Sequence, residues 1–152
     1  MVPVAIALGS NLGDRQLLLR KAVAALGQYL QQLRVSTFHE TDPVGVGDQP
    51  RFLNAAATGY TTLPAHDLLH ALIDIERQLG RERPYPGAPR TLDLDLILYG
   101  DFIVNERDLV VPHPRFRDRS FVLEPLAEIA PKIVEPVSGE NIAGLLAALD
   151  RV

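Results

Sequence analysis

Apolar residues along the chain recur at two spacings, and these predict an ordered series of strands and helices. A short apolar run at residues 4–8 is typical of a central strand that is covered on both faces. The next apolar positions repeat every three or four residues and predict a helix: Leu19, Val23, Leu26, Leu30 and Leu33. Residues 9–14 between them are turn formers, and Asp14 or Asn11 can cap the helix. A phosphate-binding loop is the alternative interpretation of that turn, but its spacing matches neither GxxxxGKS/T nor GxGxxG.

Two further strands are predicted on either side of a long loop. Residues 34–41 and 52–62 show the alternation of strands, and residues 42–50 between them are rich in Gly and Pro. Loops of this length often form lids or binding edges. Phe52 and Asn54 share one face of the later strand. Because asparagine is disfavoured in strands, Asn54 is either a functional residue or an amide bonded to a nearby turn.

The remaining pattern completes an α+β domain. A helix that follows Pro64 and ends at Gly80 carries one apolar stripe, formed by Leu68, Leu72, Ile75 and Leu79. The later elements predicted are a fourth strand within 89–100, a short hairpin at 102–105 and 109–112, and helices at 121–130 and 142–149. The order βαββαβ with additions indicates a ferredoxin-like antiparallel sheet with helices on one side and C-terminal additions.

The fourth strand places two carboxylates side by side. Alternation directs one set of residues toward a core: Leu92, Leu94, Leu96 and Leu98. It directs the other set to the opposite face: Thr91, Asp93, Asp95, Ile97 and Tyr99. Asp93 and Asp95 then lie roughly 6–7 Å apart along the strand. Such a pair suits Mg²⁺, which binds one or two carboxylates together with substrate phosphates. Two solvated aspartates on an open face of the sheet are the alternative.

Length, charge and composition restrict the class of protein. The 152 residues suit a single domain, 1–152, with its own core. The formal net charge of −4 does not favour a nucleic-acid partner, and the absence of cysteine excludes disulfides, thiolate metal sites and thiol catalysis. The N-terminal apolar run is too short for a membrane span and lacks the basic residues of a signal peptide. We therefore expect a cytoplasmic protein that is monomeric and not bound to a membrane.

Arginines, a histidine and aromatic residues are predicted to surround the acidic pair. The flanking segments supply Arg81, Arg83, His113, Arg115 and Arg117. Carboxylates that hold metals, together with arginines that bind phosphate, indicate a nucleoside triphosphate with Mg²⁺. Phe52, Phe121 and Asn54 indicate a flat, nitrogen-rich heterocycle that is stacked and hydrogen-bonded at its edge. Simpler interpretations remain for each group: a core side chain at Phe121, a turn cap at His113 and solvated arginines.

Several short motifs together resemble the 6-hydroxymethyl-7,8-dihydropterin pyrophosphokinase family of folate biosynthesis. They are LGSNLG at 8–13, DQP at 48–50, FLNA at 52–55, PRTLDLD at 89–95, VPH at 111–113 and RSF at 119–121. The motifs span nearly the full chain in the order found in that family. The resemblance implies transfer of pyrophosphate from ATP to 6-hydroxymethyl-7,8-dihydropterin, with release of AMP.

The resemblance also implies roles for individual residues. Asp93 and Asp95 match the pair that holds two Mg²⁺ ions bridging the phosphates of ATP. The implied substrate-binding residues are Thr41, Val44, Phe52, Asn54 and Phe121. Among these, Phe52 and Phe121 match the aromatic residues that sandwich the pterin ring, and Asn54 matches the residue that hydrogen-bonds it. Thr41 and Val44 match positions of backbone contact.

The remaining residues implied by the resemblance handle the nucleotide. Arg81 and Arg90 match catalytic arginines that handle phosphate. The implied ATP-binding residues are Glu76, Arg83, His113 and Arg119. The sequence departs from the family at Asp108 and Val110, which replace an arginine and a threonine that contact ATP. Prolines also crowd the loop 81–90, which moves as a lid in the family.

Two other functions remain open from the residues themselves. One is a ferredoxin-like binding module without catalysis, whose sheet aromatics would stack on bases. The other is a metal-dependent phosphohydrolase that uses the same acidic pair. Release of AMP that depends on a pterin alcohol distinguishes the pyrophosphokinase from both.

Overall fold

The computed structural model of the chain describes residues 1–11, 13–41, 51–80 and 92–150. The strands are β1 (Val2–Ser10), β2 (Gln31–Val35), β3 (His39–Thr41), β4 (Phe52–Thr61), β5 (Asp93–Tyr99), β6 (Val104–Asn105) and β7 (Val110–Val111). The helices are α1 (Arg15–Leu26), α2 (Ala65–Leu79), α3 (Ser120–Ile129) and α4 (Ile142–Asp150), with a 3-10 helix at Phe116–Asp118. Among the described residues, no helix is both long enough and apolar enough to span a bilayer.

Strands β1 to β5 form one antiparallel sheet, the main sheet, in the order β2-β4-β1-β5 with β3 also paired to β4. The central strand β1 is buried over Val4, Ala5, Ile6, Ala7 and Leu8, as its continuous apolar run predicts. Strands β6 and β7 pair separately as the predicted hairpin.

Helices cover both faces of the main sheet. Helices α1 and α2 pack on one face, the α1/α2 face, where the core includes Val4, Ile6, Leu8, Leu19, Leu26, Leu68 and Leu72. The opposite face, the α3/α4 face, packs against α3, α4 and the 3-10 helix, and its core includes Ala5, Ala7, Ala56, Phe116, Leu123, Leu126 and Ile142. The ferredoxin-like class is confirmed, with the C-terminal additions lying across the sheet from the first two helices.

The first helix is shorter than its apolar spacing predicts. It ends at Leu26, where the N–H of Gly27 donates to Val23 O. Leu30 lies in the following turn and Leu33 in β2, yet both pack in the α1/α2 core. Both positions pack against the core and are therefore apolar, although neither is helical. Their spacing happens to continue the helical pattern, so the predicted helix was too long.

The strand predicted at 34–41 is two strands, β2 and β3, separated by a break at residues 36–38. At the break, Ser36 N donates to Ala56 O at 2.9 Å, and Ser36 Oγ accepts from Ala56 N at 2.9 Å. The hydroxyl therefore takes the place of a backbone carbonyl in the pairing with β4, and Thr37 is released to bond elsewhere.

The alternation of β5 changes at a β-bulge. Leu96 pairs with Ile6 and Leu98 pairs with Ala5, so Ile97 is an extra residue between them. Beyond it the prediction is wrong: Leu98 packs on the α3/α4 face, and Tyr99 packs on the α1/α2 face. Asp93 and Asp95 precede the bulge and keep their predicted face.

Candidate active site

Two rows of residues cross the α3/α4 face where three strands meet. In the first row, Gly9 of β1 pairs with Asn54 of β4 on one side and with Asp93 of β5 on the other. In the second row, Ala7 pairs with Ala56 and Asp95 in the same way. Neighbouring strands lie about 4.8 Å apart, so Asn54 and Asp93 are separated by about 10 Å. The pairing places an amide and two carboxylates on one small patch of sheet.

A cavity of about 470 Å³ opens over these rows. The predicted site residues that line it are Thr41, Phe52, Asn54, Asp93, Asp95, Arg119 and Phe121. Leu8, Val122 and Asp118 complete the lining together with the small residues of β1. The structure therefore brings together residues from four separate segments that were assigned to one site from the sequence.

The small residues of β1 form the floor of the cavity. A Cβ atom on Gly9 would lie only 3.0 Å from Asn54 Oδ1, so the absence of a side chain leaves room for the amide. Asn54 itself is buried, and its Nδ2 donates to Thr41 Oγ1 at 2.6 Å. The amide orientation is thus set by β3 on one side and by β1 on the other.

Strand β5, which carries both carboxylates, is fixed to α2. Glu76 Oε2 accepts a hydrogen bond from Leu94 N at 2.8 Å, and Leu94 lies between the two aspartates. Glu76 is placed near the end of α2 and, within the described residues, supports the acidic pair rather than lining the cavity. Its predicted contact with ATP stays a prediction.

The pair formed by Asp93 and Asp95 fits the predicted metal. Both side chains are partly exposed and line the same cavity, and hard carboxylate oxygens beside an anionic substrate are the donors that Mg²⁺ prefers. The donor set is therefore compatible with Mg²⁺.

His113 lies beside the bulge in β5. Its backbone N–H donates to Ile97 O at 2.9 Å, and its Nδ1 accepts from Arg115 N at 3.1 Å. Burial lowers the pKa of His113 below its ordinary value of 6.5; Asp95 raises this pKa, and the charges of Arg119 and Arg115 lower it. The ring is therefore neutral near pH 7 and carries its proton on Nε2, as a donor suited to phosphate oxygens.

Arg119 and Phe121 are held at the start of α3. The guanidinium carbon of Arg119 lies 5.5 Å from the centroid of the Phe121 ring, a cation–π contact that orients both groups. Two residues earlier, Arg117 pairs with the fully buried Glu135, which also accepts from Ser138 N. Burial raises the pKa of Glu135, but the hydrogen bonds from Ser138 and Arg117 outweigh burial and lower it. This buried pair fixes the segment that supplies Arg119.

One charged lining residue was not predicted from the sequence. Asp118 is a third carboxylate at the cavity, placed by the 3-10 helix next to Arg119. Its signal in the sequence is weak: a single acidic residue inside the arginine-rich run at residues 115–119.

Two of the departures from the family pattern, Asp108 and Val110, lie in the β6–β7 region. Asp108 Oδ1 lies 3.6 Å from His66 Nε2, which is also 2.8 Å from Glu106 Oε2. Val110 is exposed in β7. Four predicted site residues, Val44, Arg81, Arg83 and Arg90, lie outside the described residues.

Comparison with known proteins places the chain in a family. The family model for 7,8-dihydro-6-hydroxymethylpterin-pyrophosphokinase (HPPK) matches residues 5–131. A 2-amino-4-hydroxy-6-hydroxymethyldihydropteridine pyrophosphokinase of Bacillus subtilis is 48% identical over 130 residues, which cover 84% of this chain and 78% of that protein. The mitochondrial folate synthesis bifunctional protein of Arabidopsis thaliana is 44% identical over 133 residues, covering 87% of this chain but 24% of that protein.

The fold is also found in a solved structure. The crystal structure of HPPK-DHPS from Plasmodium falciparum superposes with a TM-score of 0.73 at 15% identity, covering 97% of this chain and 43% of that one. The present chain thus spans one part of these longer proteins. The matches make it an ATP-dependent pyrophosphokinase of folate biosynthesis, and the chain belongs to the 7,8-dihydro-6-hydroxymethylpterin-pyrophosphokinase family.

Proposed function

We propose that the cavity binds 6-hydroxymethyl-7,8-dihydropterin at its Asn54 end and the phosphates of ATP at its Asp93 end. The observation that supports this most directly is the row Asn54–Gly9–Asp93, which puts an amide and a carboxylate two strands apart in one cavity. A bicyclic heterocycle that hydrogen-bonds at Asn54 would extend its hydroxymethyl group across Gly9 toward the acidic pair.

The pterin would stack between Phe52 and Phe121. Both rings line the cavity, Phe52 from the start of β4 and Phe121 from the first turn of α3. Asn54, held by Thr41, offers both a donor and an acceptor to the edge of the heterocycle. A backbone contact from Val44 completes the proposed pterin site.

Asp93 and Asp95 would hold two Mg²⁺ ions at the other end. When bound, these ions neutralise phosphate oxygens and favour deprotonation of the attacking alcohol. Arg119 lines the cavity, and His113 lies near enough to Asp95 for that carboxylate to act on its pKa. Both side chains would donate to phosphate oxygens, His113 through Nε2–H. The proposed cationic partners from the preceding loop are Arg81, Arg83 and Arg90, with Glu76 supporting β5 from α2.

The reaction requires positioning more than covalent chemistry. The hydroxymethyl oxygen forms a bond to the β-phosphorus of ATP, and the bond from that phosphorus to the α,β-bridging oxygen breaks. AMP leaves with the bridging oxygen, the alcohol proton is released, and the pterin retains the pyrophosphate. The rigid row across β4, β1 and β5 would align the two reactants for this in-line transfer.

We further propose that residues 1–152 act as a single domain, as a monomer in the cytoplasm without a nucleic-acid partner. The net charge of −4 disfavours binding of a nucleic acid. The carboxylates of Asp93, Asp95 and Asp118 at the cavity instead favour a small anionic substrate that is bound through cations.

The test is incubation of the purified protein with ATP, Mg²⁺ and 6-hydroxymethyl-7,8-dihydropterin, followed by separation of the products. AMP and pterin pyrophosphate are expected in equal amounts, and neither should form when the pterin or Mg²⁺ is left out. AMP or ADP made without the pterin would instead indicate a phosphohydrolase.

A further inference from the structure

A hydrogen-bonded cluster lies at the break between β2 and β3, outside the cavity. Thr37 N donates to Glu128 Oε2 and Thr37 Oγ1 donates to Glu128 Oε1, both at 2.6 Å. His39 Nε2 lies 2.9 Å from the same Oε1. One carboxylate near the end of α3 therefore binds three groups from the edge of the sheet.

The geometry of the cluster is not that of a nucleophile with its base. In a catalytic triad the hydroxyl and the carboxylate bind opposite nitrogens of the histidine ring. Here Thr37 Oγ1, at 3.3 Å, and Glu128 both approach Nε2 of His39. The cluster is instead suited to joining two elements.

The two joined elements both supply residues that line the cavity. Phe121 and Glu128 are seven residues apart on α3, which places them on one helix face about 10 Å apart. On the other side, His39 of β3 pairs with Asn54, and Thr41 pairs with Phe52. Glu128 thus connects the helix that carries one aromatic wall to the strands that carry the other wall.

The carboxylate remains charged over a wide pH range. Hydrogen bonds from the side chain and the backbone N–H of Thr37, and then one from His39, lower the pKa of Glu128 to about 2. Arg34 of β2 and Lys132, which follows α3, line a surface groove together with Glu128 and add positive charge there.

We propose that Glu128 is a positioning residue that sets the gap between Phe121 and the wall formed by β3 and β4. The carboxylate does not touch substrate; it fixes the separation of the two surfaces that sandwich the pterin. The inference rests on the proposed pterin site, and it predicts that loss of Glu128 weakens pterin binding without affecting ATP.

The test compares Glu128→Ala with Glu124→Ala. Glu124 is exposed one turn earlier on α3, so its variant removes the same side chain and charge from the same helix without touching β3. For Glu128→Ala we expect about a fivefold rise in KM for the pterin, because Phe121 is no longer held at a fixed distance from β3 and β4. The kcat and the KM for ATP should stay within about twofold, and Glu124→Ala should match the parent protein.

Two further variants distinguish positioning from folding. Glu128→Gln keeps an acceptor for Thr37 N and should restore part of the pterin KM. Thr37→Val removes the hydroxyl and should raise the pterin KM in the parent but add little in Glu128→Ala, because the two changes break one contact.

The outcomes separate this inference from the proposed function. If Glu128→Ala lowers the melting temperature and leaves the pterin KM unchanged, Glu128 is merely structural and the inference is wrong. If Glu128→Ala does not fold, Thr37→Val decides in the same way. If the parent protein itself fails to transfer pyrophosphate to the pterin, the proposed function fails instead.

Discussion

The two faces of the main sheet use side chains of different size from the same central strand. Toward α1 and α2, β1 presents Val4, Ile6 and Leu8, and these are almost fully buried. Toward α3 and α4 it presents Ala5, Ala7 and then Gly9. Large side chains fill one face completely, whereas small ones leave a space on the other.

This difference explains where the cavity forms. Ala5 is fully covered by the C-terminal helices, Ala7 is buried at the border of the cavity, and Gly9 is partly exposed in its floor. The strand therefore changes from a packing surface to a binding surface within five residues. A core face tolerates no space, because each void loses contacts, whereas a substrate face requires one.

The largest expected effect is on the α3/α4 face, in Asp95→Ala. Turnover should fall at least about a thousandfold, because a carboxylate of the proposed metal site is lost. Binding of the pterin, measured by fluorescence titration, should change little because Asn54 and the aromatic walls are untouched. Asp101→Ala, in the exposed turn at the other end of β5, is the matched control and should be fully active. A near-normal rate for Asp95→Ala would falsify the metal assignment.

The complementary change on the α1/α2 face is Leu72→Ala. Leu72 is fully buried, so the variant should lose about 2–5 kcal/mol of unfolding free energy through lost contacts and a residual cavity. Urea denaturation measures the loss, and kcat of the folded fraction should stay near that of the parent. A large fall in kcat without loss of stability would contradict the view that the α1/α2 face stabilises the fold while the α3/α4 face carries the site.

A smaller effect is expected when the floor of the cavity is raised by Gly9→Ala. The new methyl group would lie 3.0 Å from Asn54 Oδ1, so the buried amide must shift and its bond to Thr41 is disturbed. We expect the pterin KM to rise about tenfold through the weakened amide contact. The KM for ATP serves as the internal control, and equal changes in both constants would argue against a local effect.

The smallest effect is the pH dependence of the contact that joins the two walls. The pKa of Glu128 is lowered from 4.5 to about 2, so its hydrogen bonds contribute to stability above pH 4.5 and are lost as the pH falls through about 2. The difference in melting temperature between the parent and Glu128→Ala should therefore shrink from pH 5 toward pH 2. A constant difference over that range would show that the charged form is not what binds Thr37.

Much of this arrangement could be predicted from the sequence, because alternate residues of a strand point to opposite faces of the sheet. Phe52 and Asn54 on one face, and Asp93 beside Asp95, follow from a period of two and lie as expected. The family resemblance supplied the chemistry that alternation alone left open. Roles for Val44 and the arginines of the 81–90 loop stay predictions.

The errors have specific physical causes. The bulge at Ile97 depends on how two strands pair and leaves no local signal, so alternation beyond it was assigned to the wrong faces. The break after β2 arises because the hydroxyl of Ser36 substitutes for a backbone group. Asp118 reaches the cavity through a 3-10 turn, which a pattern of apolar residues does not indicate.

The bond from Leu94 to Glu76 has a consequence beyond the acidic pair. Within the described residues, β5 is the outermost strand of the main sheet, and an outer strand can recruit a strand from another molecule through its exposed amides. With the amide of Leu94 already donated to a charged side chain, a second chain would have to displace that carboxylate before it could pair there. The same contact that supports the strand of the two aspartates thus hinders the addition of a further strand at this edge.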